Sequence, residues 1–247
     1  MNIERIKLLP YIGGAENKLE NYIECERYFS EYFMKTKELY GEDSLDHIEA
    51  IQYLANAEGL AGHIAEGCKN YELYLMKIKN KIREKLPHLN SSERESFWSP
   101  ISEMLTSMTP YAVEAKLFNT DFTQSCYNAL VLSKAFLLES ERNLFDILKS
   151  NGRDEDLRDL MSINAMQSRI RDLNKINQSN DAPINPNVVD TLILLNNKVS
   201  SLEHKLLSRC NEYGNLTSFM NIDYCSVKEK LASTDYLLDF TDYLSKS

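Results

Sequence analysis

Glycine and proline are scarce in this chain, 8 and 6 of 247 residues. With so few breakers, sharp turns are rare and long helices are favoured. Positive charge is also short: 28 Lys and Arg stand against 37 Asp and Glu, a formal net charge of -9. An acidic chain lacks the general field that draws nucleic acid or anionic lipid, so neither nucleic acid nor membrane is an expected partner. No apolar run approaches the roughly 20 residues that span a bilayer. The opening MNIERIKLLPYIGG carries Glu4 early and breaks at Pro10, a poor secretory signal. The cysteines, Cys25, Cys68, Cys126, Cys210 and Cys225, are odd in number and widely spaced. That is unlike a disulfide framework and favours a reduced, cytoplasmic setting.

The motifs of common chemistry are missing too. Metal sites want Cys and His pairs at short spacing, and no CxxC, HxxxH or HExxH occurs. No GxxxxGK cradles a phosphate. Nucleophilic catalysis needs a Cys or Ser beside a base. Of His47, His63, His88 and His204, only two lie close in sequence to a cysteine. His63 and Cys68 are separated by the wrong spacing for a shared face, just after a break at Gly62. His204 and Cys210 are turned about 600° apart at roughly 100° per residue, so they face different ways. Asp154, Glu155 and Asp156 open a helix, where acids favour the dipole, and nothing local suggests their burial. Lys77, Lys79, Lys81, Arg83 and Lys85 splay around a helix as a solvated face. No catalytic, cofactor-binding or metal-ligating residue is therefore assigned, and no cofactor is expected.

What is present is helical periodicity. The strongest run is Asn119 to Gly152, with Phe122, Cys126, Ala129, Leu130, Ser133, Phe136, Leu137, Leu144, Ile147 and Leu148 on one face. Asn119, Thr120 and Asp121 are cap residues for its start, and Asn151-Gly152 stops it. Before it, the pattern predicts a partial helix over 1–14 ending at Gly13-Gly14 and a helix from Ala15 to Tyr40 with Leu19, Tyr22, Cys25, Phe29, Phe33 and Leu39 inward. A helix capped by Ser44 buries Ile48, Ile51, Leu54 and Ala55. Another from Ile64 to Leu86 buries Tyr71, Leu75, Ile78 and Ile82.

Ser92-Glu93-Arg94-Glu95 reads as a capping box. It leads into the stripe Phe97, Trp98, Ile101, Met104, Leu105 and Met108, closed by Pro110, with the only tryptophan in the core. After the central helix, Asp154 to Asn177 carries Leu157, Leu160, Ile163, Met166, Ile170 and Leu173. Pro186 starts a helix whose Leu192, Leu195, Val199, Leu202 and Leu206 step by three and four. These two predict a long antiparallel hairpin over 154–213. Ser226-Val227-Lys228-Glu229 reads as a second capping box, and Tyr236 to Tyr243 alternates as a strand.

The Gly41-Glu42-Asp43 turn with Asp46, Ala50, Leu54-Ala55, Gly62, Ile64 and Tyr71 resembles the tetratricopeptide repeat. Cys25 and Gly67 would be the small residues at close helix approaches. Gly59 departs from the pattern, standing where an aromatic is usual, and Leu45 stands where proline is common. The order of signals also resembles the region just upstream of the CHAT domain, a caspase-like peptidase of bacteria. The matching pieces are the repeat turn, Ser92 to Trp98, Tyr127 to Leu138, Tyr213-Gly214, Ser226 to Leu231 and Tyr236 to Phe240. That last strand resembles the opening of the peptidase domain, whose catalytic His and Cys have no matching positions here.

The expected fold is all-α. Tetratricopeptide-like helix pairs occupy 1–86, a helical bundle 87–233, and a strand-like tail 234–247. The expected function is a non-catalytic interaction or regulatory module, with a protein or peptide on the repeat face and, by resemblance, a peptidase domain downstream. The alternatives are an oligomerisation scaffold built on the Leu192–Leu206 stripe and an enzyme using a cleft between repeats and bundle.

Overall fold

The computed structural model describes residues 3–106, 108, 111, 115, 120–178, 186–213, 215–221 and 223–232. The fold is all-α, with no strand among the described residues. The helices are α1 (Ile3–Lys18), α2 (Tyr22–Tyr40), α3 (Leu45–Leu60), α4 (Ile64–Lys85), α5 (Ser91–Thr106), α6 (Thr120–Asn151), α7 (Asp154–Gln178), α8 (Pro186–Tyr213) and the short α9 (Tyr224–Lys228). Short 3₁₀ turns occupy Leu86–His88 and Ser218–Asn221. The strand expected over Tyr236 to Tyr243, the Asn119 cap and Pro110 lie outside the described residues.

Two compact units form, neither contiguous in sequence. The first takes residues 1–83, 100–134 and 222–247, the second 84–99 and 135–221. The segment 87–233 is thus shared between them, because α5 and α6 each run from one unit into the other.

In the first unit, α1 packs against α2 and α2 against α3. The first helix differs from expectation. It runs straight through Pro10 and the Gly13-Gly14 pair to Lys18, and the break falls at 19–21. Gly13 serves packing rather than termination: a Cβ there would stand 2.9 Å from the ring of Phe29. The turn is made instead by Glu20, at φ 60°, with the Asn21 amide donating to the Glu16 carbonyl at 2.9 Å. Leu19, expected inward, sits on that turn and is 72% exposed.

Farther on, Gly41 and Gly62 hold φ of 85° and 90°, the left-handed region that favours glycine, and end α2 and the α3 turn. The Ser44 hydroxyl accepts from the His47 amide at 3.2 Å, capping α3. Ile48, Ile51, Leu54 and Ala55 are buried, as are Tyr71, Leu75, Ile78 and Ile82 of α4. Gly67 marks a close approach, since a Cβ there would meet the Ala55 carbonyl oxygen at 2.9 Å. At Gly59 a Cβ would fall 1.7 Å from the Tyr111 ring, whose hydroxyl donates to the Asn56 carbonyl. A larger side chain at position 59 has no room, because the Tyr111 ring lies over it.

The second unit is built on the α7–α8 hairpin. Lys205 binds Asp159 at 2.8 Å and Gln167 donates to Glu203 at 3.1 Å. Positions rise along α7 as they fall along α8, so the pair is antiparallel. Leu148, Ile163, Val199, Leu206, Leu207, Cys210 and Leu216 form its core. Trp98 stacks on Phe136 with ring centroids 3.8 Å apart.

Both predicted capping boxes are displaced. At α5 the cap is Asn90. Its Oδ1 accepts from the Glu93 amide at 3.0 Å, and Glu93 reaches back to the Asn90 amide at 2.8 Å. At α9 the cap is Asp223, which accepts from both the amide and the hydroxyl of Ser226. In each case the capping side chain sits two or three residues earlier than the serine that matched the pattern.

Candidate functional site

A groove of about 420 Å³ opens in the first unit. Helix α1 supplies Ile6, Lys7, Pro10 and Tyr11, α2 supplies Tyr32 and Tyr40, and α3 supplies Asp46, Glu49 and Tyr53. Helical spacing explains the gathering. Tyr11 lies one turn from Lys7, and Asp46, Glu49 and Tyr53 rise along one face of α3 at steps of three and four. The Tyr32 and Tyr53 rings lie 6.4 Å apart, and Tyr53 stacks on Phe29 at 5.2 Å. The Tyr53 hydroxyl donates to Glu49 at 2.9 Å.

Burial pushes the Tyr32 phenol up to about 12, with help from the negative charge of Glu49 and Asp46, and raises Tyr53 as well. Tyr32 and Tyr53 are therefore neutral hydrogen-bonding rings at physiological pH, not nucleophiles. Asp46 and Glu49 face the groove with no Lys, Arg or His paired to them among the described residues. The floor is apolar and anchored, since Ile6, Leu9, Tyr32 and Ala50 form one buried cluster beneath it. Two carboxylates against the single ammonium of Lys7 leave the groove net negative, which together with the aromatic faces suits a cation carried on an apolar stem.

The residues weighed for catalysis are scattered. Cys68 is buried and its thiol raised by burial, while His63 faces away to Glu26 at 2.9 Å. Cys210 lies in the hairpin core, raised by burial to about 11, and His204 instead meets Asn90 at 3.3 Å and Glu93 at 3.5 Å. Cys126 is raised by burial to about 12. These thiols stay protonated and poorly nucleophilic. Cys225 is exposed. Among the described residues no three His, Cys, Asp or Glu side chains cluster as metal ligands, and no helix is long and apolar enough to cross a membrane.

Two sequence readings need correction. Asp156 was expected to act on the helix dipole at the surface, but it is fully buried. Its Oδ2 accepts from the Arg153 amide at 3.0 Å, and its other oxygen takes a short charged contact from Arg209. That partner arrives from α8, too far along the chain for any local pattern to reveal. Of the basic run on α4, Lys77 is not simply solvated but pairs with Asp43 at 3.0 Å, and burial lowers Lys79. The tyrosine groove itself was missed. Its lining comes from three helices, and only the recurrence of Tyr on α2 and α3 hinted at it.

No protein-family model matches the chain, and neither a curated protein nor a solved structure does.

Proposed function

We propose that this chain is a non-catalytic helical interaction module whose tyrosine groove holds a basic segment of a protein partner. The observation that carries the reading is the groove: Tyr11, Tyr32, Tyr40 and Tyr53 with Asp46 and Glu49 in about 420 Å³. A Lys or Arg side chain would lay its stem on the rings and its charge against the carboxylates. Helical repeats present such grooves to extended peptides. The likeness of Gly41 to Tyr71 to a tetratricopeptide repeat supports the same reading. The likeness to the region upstream of the bacterial CHAT peptidase adds a cytoplasmic setting and a peptidase as the element regulated.

Fluorescence polarisation with a labelled peptide of Lys, Arg and Leu, against its counterpart with Glu for every basic residue, tests this. The basic peptide is expected to bind. Asp46→Asn with Glu49→Gln should weaken it about tenfold, the loss of roughly 1.4 kcal/mol of cation recognition. Equal binding of the acidic peptide, or a double variant that binds unchanged, would remove the reading. Hydrolysis of peptides or esters by the purified chain would replace it with an enzymatic one.

A further inference from the structure

The second unit holds a different site, a narrow cleft of about 180 Å³ between α5, α6, α7 and α8. At its base is Arg94, in the first turn of α5 and 4% exposed. A buried guanidinium normally fills its five donors with carboxylates or carbonyls. Arg94 spends Nε on the Leu89 carbonyl at 2.9 Å, and among the described residues no carboxylate is near enough to pair with it. Burial lowers its pKa, against the pull of Glu203 and Glu141. The guanidinium is still charged at neutral pH, as arginine is in proteins.

Glu203 is not available to it. One Glu203 oxygen accepts from the Ser91 amide at 3.1 Å, and the other from the Ser91 hydroxyl at 2.9 Å and from Gln167 at 3.1 Å. Glu141 lines the same cleft, is exposed, and has no basic partner among the described residues. Between the free donors of Arg94 and the free carboxylate of Glu141 the wall is apolar, made of Leu144, Phe145 and Leu160.

We infer that this cleft binds a free apolar α-amino acid, its carboxylate on Arg94, its ammonium on Glu141 and its side chain along the Leu144–Phe145–Leu160 wall. A simple anion would be repelled, because Glu203 and Glu141 together outweigh Arg94. A simple amine would leave the Arg94 donors that open into the cleft without an anion. A zwitterion satisfies both ends. The cleft is smaller than the roughly 300 Å³ at which sites for drug-sized ligands begin, so the occupant is small.

Calorimetric titration of the whole chain with leucine, methionine and valine tests this, with leucinamide and N-acetylleucine as controls that each lack one charge. At least one of the three amino acids should bind saturably. Both controls should bind at least about tenfold more weakly, and so should Glu141→Gln for the amino acid that binds best. Arg94→Lys keeps the charge but loses the fork, and should weaken binding of leucine more than that of leucinamide. If that variant does not fold, the two controls and Glu141→Gln decide alone. Absence of saturable binding up to roughly 10 mM, about tenfold above a millimolar dissociation constant, overturns the inference. So does N-acetylleucine binding as tightly as leucine, or a Glu141→Gln variant that binds unchanged. Peptide binding in the tyrosine groove is indifferent to all of these outcomes, so the two readings fail independently.

Discussion

At the scale of single residues, burial decides what the titratable groups do. His47 is 2% exposed, its ring against Phe33 and its Nδ1 3.2 Å from the Thr36 hydroxyl. That hydroxyl donates to the Tyr32 carbonyl at 2.9 Å, so the imidazole is a donor to it. Burial holds the His47 pKa below its ordinary value, and Lys77 lowers it further. The folded state then binds the proton less readily than the unfolded chain. The neutral ring's stability is fully present above about pH 6.5, the unfolded value, and is lost as pH falls from there through the folded pKa. His47→Gln keeps a donor without a titrating proton. Its urea midpoint should fall less than the parent's between about pH 7 and pH 5, at a fixed cost near 1 kcal/mol at neutral pH. Parallel pH profiles for the two proteins would show that His47 does not supply this term.

At the scale of elements, the ends of helices are set by geometry that a motif only approximates. Asn90 caps α5 and also donates to the Ser200 hydroxyl on α8 at 3.0 Å. Asn90→Ala removes the cap and the side-chain contacts to Ser200 and His204, and should cost about 2 kcal/mol. Ser92→Ala, at the residue that matched the capping pattern, lies on an exposed position and should change stability by less than about 0.5 kcal/mol. Chemical denaturation of the two variants side by side ranks them. A larger loss at Ser92 would return the cap to the position read from the pattern. Helix α1 teaches the same lesson from the other side, since Gly13 looks like a stop and is a notch for Phe29.

At the scale of the whole molecule, two units are threaded by shared helices. Trp98 is the only tryptophan, and it stacks on Phe136 within the second unit. Its fluorescence therefore reports that unit, while far-ultraviolet dichroism reports helices in both. Because α5 and α6 each belong to both units, unfolding of one frays elements that the other needs. The fluorescence and dichroism midpoints in denaturant are expected to coincide. A fluorescence transition clearly separated from the dichroism one would mean that the units unfold independently.

The all-α class and the inward faces of α3, α4, α7 and α8 were legible in the chain, because apolar period is a local property that burial then amplifies. Ile51, Tyr71, Phe122, Phe136 and Leu148 are all buried where the period put them. What only the tertiary structure decided are the meetings of distant residues: Asp156 with Arg209, Tyr111 over Gly59, Tyr11 beside Tyr32 and Tyr53, and Arg94 facing a cleft with Glu141. Local sequence sets each helix's apolar stripe, but the stripe leaves the neighbour unnamed. Which polar side chains come together at a groove depends on how several helices cross, and that is fixed by packing shapes across the fold rather than by spacing along the chain.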